Sequence, residues 1–289
     1  MNKIRIGIPK GSLKEATIAL FRKAGFNIIL DERSYKPVID DEEIECLLIR
    51  AQEIPKYIEQ GVLDLGLSGK DWIMETEAKV EEIADLAYAR TGFGKVRLVI
   101  AIPENSGIKS VKDLEGKRIA TELVSVTNNY LKRNNVNAKV EFSWGATEVK
   151  VPELVDAIVE LTETGSSLRA NKLKILETIM ESTTKLIANK DSMKDKWKKE
   201  KIENLAMLLS GALNSENKVG LMMDVPSEKI EQIKAILPKD QNPTISSLVN
   251  GGYDLFIVVD KKIARDLIPK LKKAGACDIL EFQITNLVH

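Results

Sequence analysis

The stretch DAIVELTETGSSL, residues 156–168, decides how this chain is read. Ala157, Ile158 and Val159 form a short apolar run that suits a buried parallel strand of an α/β sheet. Glu160 then stands near the carboxyl end of that strand, and Thr164 to Leu168 form the loop beyond it. Ligands of open α/β sheets bind at that edge. Gly165 lets the backbone turn tightly. The hydroxyls of Thr164, Ser166 and Ser167, with the loop N–H groups and the start of the next helix (LRANKL), can surround a phosphate. Carboxylates are poor phosphate ligands but accept hydrogen bonds from sugar hydroxyls. Asp156 and Glu160 therefore point to a phosphorylated ribose. A plainer reading has at least equal standing on pattern alone. Thr-Gly-Ser-Ser is also an ordinary turn with a helix cap. Asp156 and Glu160, four apart, can also share one polar face of a helix.

Working outward, apolar strands alternate with helices on both sides of this stretch. IRIGIP reads as a strand, and the helix SLKEATIALFRKAG follows with Ser12 as its cap and Gly25 as its stop. IECLLIR is a strand ending at Arg50, AQEIPKYIEQG a short helix, VLDLGLSG a strand and KDWIMET a helix. The rhythm restarts at GFGKVRLVIAIP, residues 92–103, and continues through KRIAT, SVTNNYLKRNN and AKVEFSW. TEVKVPELV reads as a helix leading into DAIVEL. LKILETIMESTTKLIAN reads as a strand or two crossing back to the first lobe. A long charged helix follows, with Trp197, Ile202, Leu205, Leu208 and Leu209 as its apolar stripe. This alternation predicts two parallel α/β lobes around a cleft. From about Glu216 the order becomes strand-helix-strand-strand-helix-strand, the split βαβ arrangement of a ferredoxin-like α+β domain, with Pro226 near its first helix. The expected domains are 1–91 with 185–211, 92–184, and 212–289.

Composition removes several function classes. With 289 residues, two or three compact units are expected. Lys+Arg and Asp+Glu both number 43, so no bulk charge argues for nucleic acid. No stretch approaches the roughly 18 apolar residues of a membrane span. Cys46 and Cys277 show no CxxC spacing, which fits a reducing, cytoplasmic setting, as does the lack of an apolar signal region. The only histidine is His289, which removes histidine zinc sites and Ser-His-Asp catalysis. Nucleotide fingerprints are also missing. Gly69-Lys70 is followed by Asp71 and lacks the earlier glycine of a P-loop, and Gly92 and Gly94 are followed by Arg97 rather than a third glycine.

Taken together, GATEVKVPELVDAIVELTETGSSLRANKL (145–173), IRIGIPKGSL, GVLDLGLSGKDW, GFGKVRLVIAIP and GKRIAT resemble, in order, the blocks of the ATP phosphoribosyltransferase family of histidine biosynthesis. The C-terminal GLMMDVPSEKIEQIKAILP and PTISSLV resemble the regulatory domain of its long form. The resemblance covers essentially the whole chain. It implies lobes of the periplasmic-binding-protein-like kind, and attack of adenine N1 of ATP on C1 of phosphoribosyl pyrophosphate. Mg²⁺ would be carried mainly by the substrate's phosphates, with no metal ligand set in the chain.

Carried over by residue, the resemblance implies that Thr164, Gly165, Ser166, Ser167 and Leu168 hold the 5′-phosphate. Asp156 and Glu160 would serve the ribose hydroxyls, with Glu148 as a weaker candidate. Lys10 and Gly11 fit the pyrophosphate or the ATP phosphates. Lys10, Arg50 and Arg97 are the catalytic candidates, and Asp71 a substrate contact. For Arg50 and Arg97 a salt bridge between lobes competes with that role, and Asp71 can simply cap its helix. Ser12 stands where the family commonly has arginine, with Lys14 as the substitute cation. Feedback inhibition by L-histidine is implied at Asp224, Thr244 and Ala276, together with homo-oligomers from dimer to hexamer. The competing reading is a non-catalytic two-lobed small-molecule-binding protein, which would share the βα rhythm but has no need of ELTETGSS.

Overall fold

The computed structural model describes residues 2–31, 34–88, 95–239 and 241–289. The chain divides into two compact units, Met1–Met207 and Leu208–His289. Within the first, two five-stranded sheets have the strand orders 44–50, 4–10, 65–69, 184–188, 81–86 and 173–182, 96–103, 157–162, 118–121, 139–142.

The first lobe is built from β1 (Ile4–Lys10), α1 (Lys14–Lys23), the small pair β2 (Ile28–Ile29) and β3 (Val38–Ile39), β4 (Ile44–Arg50), α2 (Ile54–Glu59), β5 (Leu65–Gly69), α3 (Lys70–Thr76) and β6 (Glu81–Leu86). Ile4, Ile6 and Ile8 of β1 are fully buried, as a strand covered on both faces requires. β1 runs parallel to β4 and β5. Helix α1 stops as expected. Gly25 has φ +98, and its N–H and that of Phe26 return to the carbonyls of Arg22 and Phe21 in a Schellman closure. Its start differs from expectation. The cap position is Leu13, without a side-chain hydrogen bond, so Ser12 does not cap the helix.

The second lobe contains β7 (Val96–Pro103), β8 (Arg118–Thr121), α4 (Val124–Arg133), β9 (Lys139–Phe142), β10 (Ala157–Thr162), α5 (Ser166–Ala170) and β11 (Leu173–Ser182). The expected start of this segment at Gly92 lies outside the described residues. The chain then re-enters the first sheet as β12 (Thr184–Ala188) and continues through α6 (Lys196–Asn214). Ile202, Leu205 and Leu209 of the predicted α6 stripe are buried.

Two expectations about this unit are corrected. The sheets are not purely parallel: β12 is antiparallel to β5 and β6, and β7 is antiparallel to β10 and β11. These are the strands on which the chain enters a lobe from the other one, so each begins where its antiparallel neighbours end. TEVKVPELV is also not a helix continuing into the strand. It makes one 3-10 turn, Thr147–Lys150, and Val151 is extended at φ −100, ψ 133 before Pro152.

The second unit holds β13 (Lys218–Val225), α7 (Ile230–Ile236), β14 (Thr244–Ser247), β15 (Tyr253–Asp260), α8 (Lys261–Ala274) and β16 (Cys277–Gln283). Its sheet order, β14-β15-β13-β16, with all neighbours antiparallel, is the expected ferredoxin-like arrangement. One sheet face, including Leu221, Met223, Leu255 and Ile257, is buried with Ile233, Leu267 and Leu271 of the helices.

Candidate active site

Strand ends of both lobes converge on a cavity of about 530 Å³. Lys10 and Gly11 follow from β1, Arg50 from β4, and Gly69 and Asp71 from the β5–α3 junction. Val96, Thr162, Ser182 and Thr184 come from β7, β10, β11 and β12. The size suits a nucleotide-sized ligand. Of the residues expected at the site, the cavity wall gathers Lys10, Gly11, Arg50 and Asp71. Ser12 also lines it, whereas Lys14 does not and instead pairs with Glu15 at 3.0 Å.

The hydroxyl-rich stretch lies immediately after the wall residues Leu161, Thr162 and Glu163. Gly165 has φ +71, and its N–H donates to Thr162 Oγ1 at 2.8 Å. Thr164 Oγ1 and Ser166 Oγ are 3.0 Å apart, and Ser167 Oγ donates to Glu148 Oε1 at 2.6 Å. Glu148, the weaker candidate for the ribose hydroxyls, is thereby tied to the hydroxyl-bearing loop. The helix begins earlier than predicted: α5 starts at Ser166, so Ser166, Ser167 and Leu168 form its first turn. Leu168 is 2 % exposed and packs with Val99, Ala101 and Ile158, so only its main chain can meet a ligand.

The two carboxylates flanking the strand part company. Glu160 lies one residue before the wall residues Leu161 and Thr162 and is not itself part of the cavity wall. It accepts a hydrogen bond from Thr147 Oγ1, and burial pushes its carboxyl above the usual range, with the Glu148 and Glu122 charges adding to the shift. Asp156 precedes the first residue of β10 and accepts the Arg118 N–H at 2.9 Å at the start of β8. The loop follows the other end of this strand, a length of about 20 Å. Asp156 is therefore corrected from a ribose contact to a tie between two strand starts.

Glu122 was not singled out in the sequence. It follows Thr121 of β8 just as Glu160 follows Val159, the last β10 residue paired with that strand, and burial raises its carboxyl while the Arg50 guanidinium lowers it. A cation from the first lobe thus faces an acidic corner of the second. Among the described residues neither Arg50 nor Arg97 forms an ion pair, so the competing reading of a salt bridge between lobes is not met by either. Arg97 lies on β7 opposite Thr162 and Glu181 and is not part of the cavity wall.

Asp71 does not cap its helix: the cap position of α3 is Gly69, without a side-chain hydrogen bond. It is 3 % exposed, Ser182 Oγ donates to its Oδ1, and its own N–H donates to Ser182 Oγ at 3.1 Å. Oδ2 has no partner, and burial pushes the carboxyl up. Gly69 is needed here, because a Cβ would come within 2.1 Å of Asp71 Oδ1. Ser182 ends β11, with only Thr183 between it and β12, so this pair fastens α3 to the crossover between sheets.

In the second unit, Asp224 lies opposite Asp254, and Thr244 opposite Phe256, on one face of the sheet. Ala276 is 1 % exposed and its methyl belongs to the core, so its side chain does not share that face.

Two α/β lobes with cationic and hydroxyl-bearing side chains at a shared cavity, followed by a ferredoxin-like unit, define the class of two-lobed α/β proteins with a ligand cleft. Residues 50–211 match the family described as ATP phosphoribosyltransferase, and residues 215–286 match the HisG C-terminal domain. The ATP phosphoribosyltransferase of Chlorobium phaeobacteroides is 58% identical over 99% of this chain and 98% of its own. That of Pelotomaculum thermopropionicum is 57% identical over 99% of each. The solved ATP phosphoribosyl transferase (HisG:HisZ) complex from Thermotoga maritima aligns with TM-score 0.61 and 29% identity, over 72% of this chain and 98% of that one. The chain belongs to the ATP phosphoribosyltransferase family, in the long form that carries the C-terminal domain. It is a transferase of histidine biosynthesis, and the non-catalytic binder is set aside.

Proposed function

We propose that the chain joins ATP and phosphoribosyl pyrophosphate. The adenine N1 lone pair forms a bond to C1 of the ribose, the C1–O bond to pyrophosphate breaks, and its electron pair leaves with pyrophosphate. The observation that carries this reading is the shared cavity, which brings Lys10, Gly11 and Arg50 opposite the strand end leading into the Thr164–Ser167 hydroxyls. Lys10 and Arg50 would face the charge that grows on the leaving pyrophosphate, where fixed cations act most strongly. Glu160 and Glu148 would accept the ribose hydroxyls. Holding both substrates in register supplies much of the remaining rate.

Mg²⁺ is read as part of the substrate. Among the described residues no cluster of three or more acidic, cysteine or histidine side chains could hold a metal. Such an ion keeps most of its waters and would be carried by the substrate's phosphates, where it offsets their charge.

The domain limits 1–91 with 185–211, 92–184 and 212–289 are part of the same reading. So are L-histidine inhibition through Asp224 and Thr244, homo-oligomers from dimer to hexamer, and a cytoplasmic location. No helix among the described residues is long and apolar enough to cross a membrane.

The test follows phosphoribosyl-ATP absorbance with ATP, phosphoribosyl pyrophosphate and Mg²⁺, with and without L-histidine. Absence of turnover sinks the reaction. Turnover indifferent to histidine sinks only the regulation, and Asp224→Ala is expected to abolish that inhibition.

A further inference from the structure

Lys10 is the cleft cation closest to the turn after β1, and its ammonium is held in an unusual way. Nζ donates to Tyr35 Oη at 3.3 Å and lies 4.5 Å from the centroid of the same ring. Among the described residues no carboxylate lies within 4 Å of it. Tyr35 is 61 % exposed, so packing does not explain its place. Its main chain is nevertheless pinned, because the Leu48 N–H on β4 donates to Tyr35 O at 2.8 Å. Beside it, the Lys36 N–H donates to Ser34 Oγ at 3.0 Å. The ring is thus carried on an anchored turn next to the carboxyl ends of β1 and β4.

A lysine ammonium on a four-carbon stem loses much rotamer freedom when a ligand orders it. A carboxylate partner would order it in advance but would cancel its charge. An aromatic face attracts the ammonium through its quadrupole, and a phenol oxygen accepts one hydrogen bond, while both leave the full positive charge in place. We propose that Tyr35 is a positioning residue that holds Lys10 extended and still fully charged toward the pyrophosphate. This rests on the reading that Lys10 meets the pyrophosphate.

The test uses the full chain and steady-state rates with each substrate varied, with pyrophosphate as product inhibitor. Tyr35→Leu is expected to raise KM for phosphoribosyl pyrophosphate and to weaken pyrophosphate inhibition about fivefold, with KM for ATP unchanged. Tyr35→Phe, which keeps the ring, should restore most of that loss. Tyr35→Glu should weaken pyrophosphate inhibition more than Tyr35→Leu, because an ion pair neutralises the ammonium. In a Lys10→Ala background, Tyr35→Leu should add nothing further.

Additive losses in the double variant would overturn the proposal, as would a change confined to KM for ATP. Undiminished pyrophosphate inhibition in Tyr35→Leu, with Lys10→Ala impaired, would also overturn it. If Lys10→Ala itself leaves pyrophosphate inhibition intact, the reading of Lys10 fails and the role of Tyr35 fails with it.

Discussion

Glu75 accepts the backbone N–H of Ser125 at 3.0 Å through Oε1, across a separation of 50 residues. Its Oε2 takes the next N–H, that of Val126, at 2.9 Å. A side chain of the first lobe therefore caps a helix of the second. Helix α4 has no cap of its own, because Leu123 at the cap position offers no side-chain bond. Trp72 and Met74 of α3 pack against the second lobe's core on the same side. Glu75→Ala is expected to cost about 1–2 kcal/mol, the size of a lost helix cap. A lowered urea midpoint at unchanged slope would show it, and Glu75→Gln should lose less.

Glu160 sets an acid limb. Its carboxyl titrates above the ordinary range because of burial, so the acceptor form is lost as pH falls through that raised value. The rate should fall on the acid side at a pH above the usual glutamate value of about 4.3. Glu160→Gln should remove the limb and lower kcat by about tenfold or more. The stability effect has the opposite sense. The folded chain holds this proton more tightly than the unfolded chain, so stability declines as pH rises through the window between the two pKa values. Glu160→Gln should flatten that decline in pH-dependent unfolding.

Gly165→Val tests the phosphate loop. At φ +71 a β-branched residue is strained, and its Cβ would lie 3.1 Å from an Arg169 guanidinium nitrogen. Direct binding of phosphoribosyl pyrophosphate is expected to weaken by about tenfold or more, corresponding to about 1.4 kcal/mol, with the fold intact by circular dichroism. Unchanged binding would move the phosphate site elsewhere.

Asp64 is a stability hub of the first unit. It is 2 % exposed and accepts from Lys198 Nζ, Ser192 Oγ and the Arg5 N–H, each at 2.7 Å. Burial pushes its carboxyl up, but these donors outweigh burial and hold it below the usual range. Its contribution is complete above the unfolded value of about 3.9 and is lost as pH falls through the folded value. Asp64→Ala should cost about 3 kcal/mol or more, because it strands a lysine and two buried donors. Chemical denaturation at pH 7 and at pH 3 measures both effects.

Most of the fold was legible in the chain. Apolar runs such as IRIGIP and VRLVIAI become β1 and β7, and the βαββαβ order of the last 72 residues, from Lys218, yields its sheet directly. Gly25 and Gly165 announced their left-handed positions, since glycine tolerates what other residues resist. The directions of β7 and β12 were not legible, because hydrophobic alternation is the same whichever way a strand runs.

The site divides along the same line. Local sequence determined which groups were on offer: two hydroxyls after a glycine, a lysine after a strand, and carboxylates four residues apart. Tertiary structure decided which of them meet. It tied Asp156, just before β10, to the start of β8 and Glu160, within β10, to Thr147, set Ser182 on Asp71 across 111 residues, and laid Tyr35 over Lys10. Periodicity reports only which face a residue takes within its own element. Contacts between elements depend on sheet order and chain crossing, which no short stretch encodes.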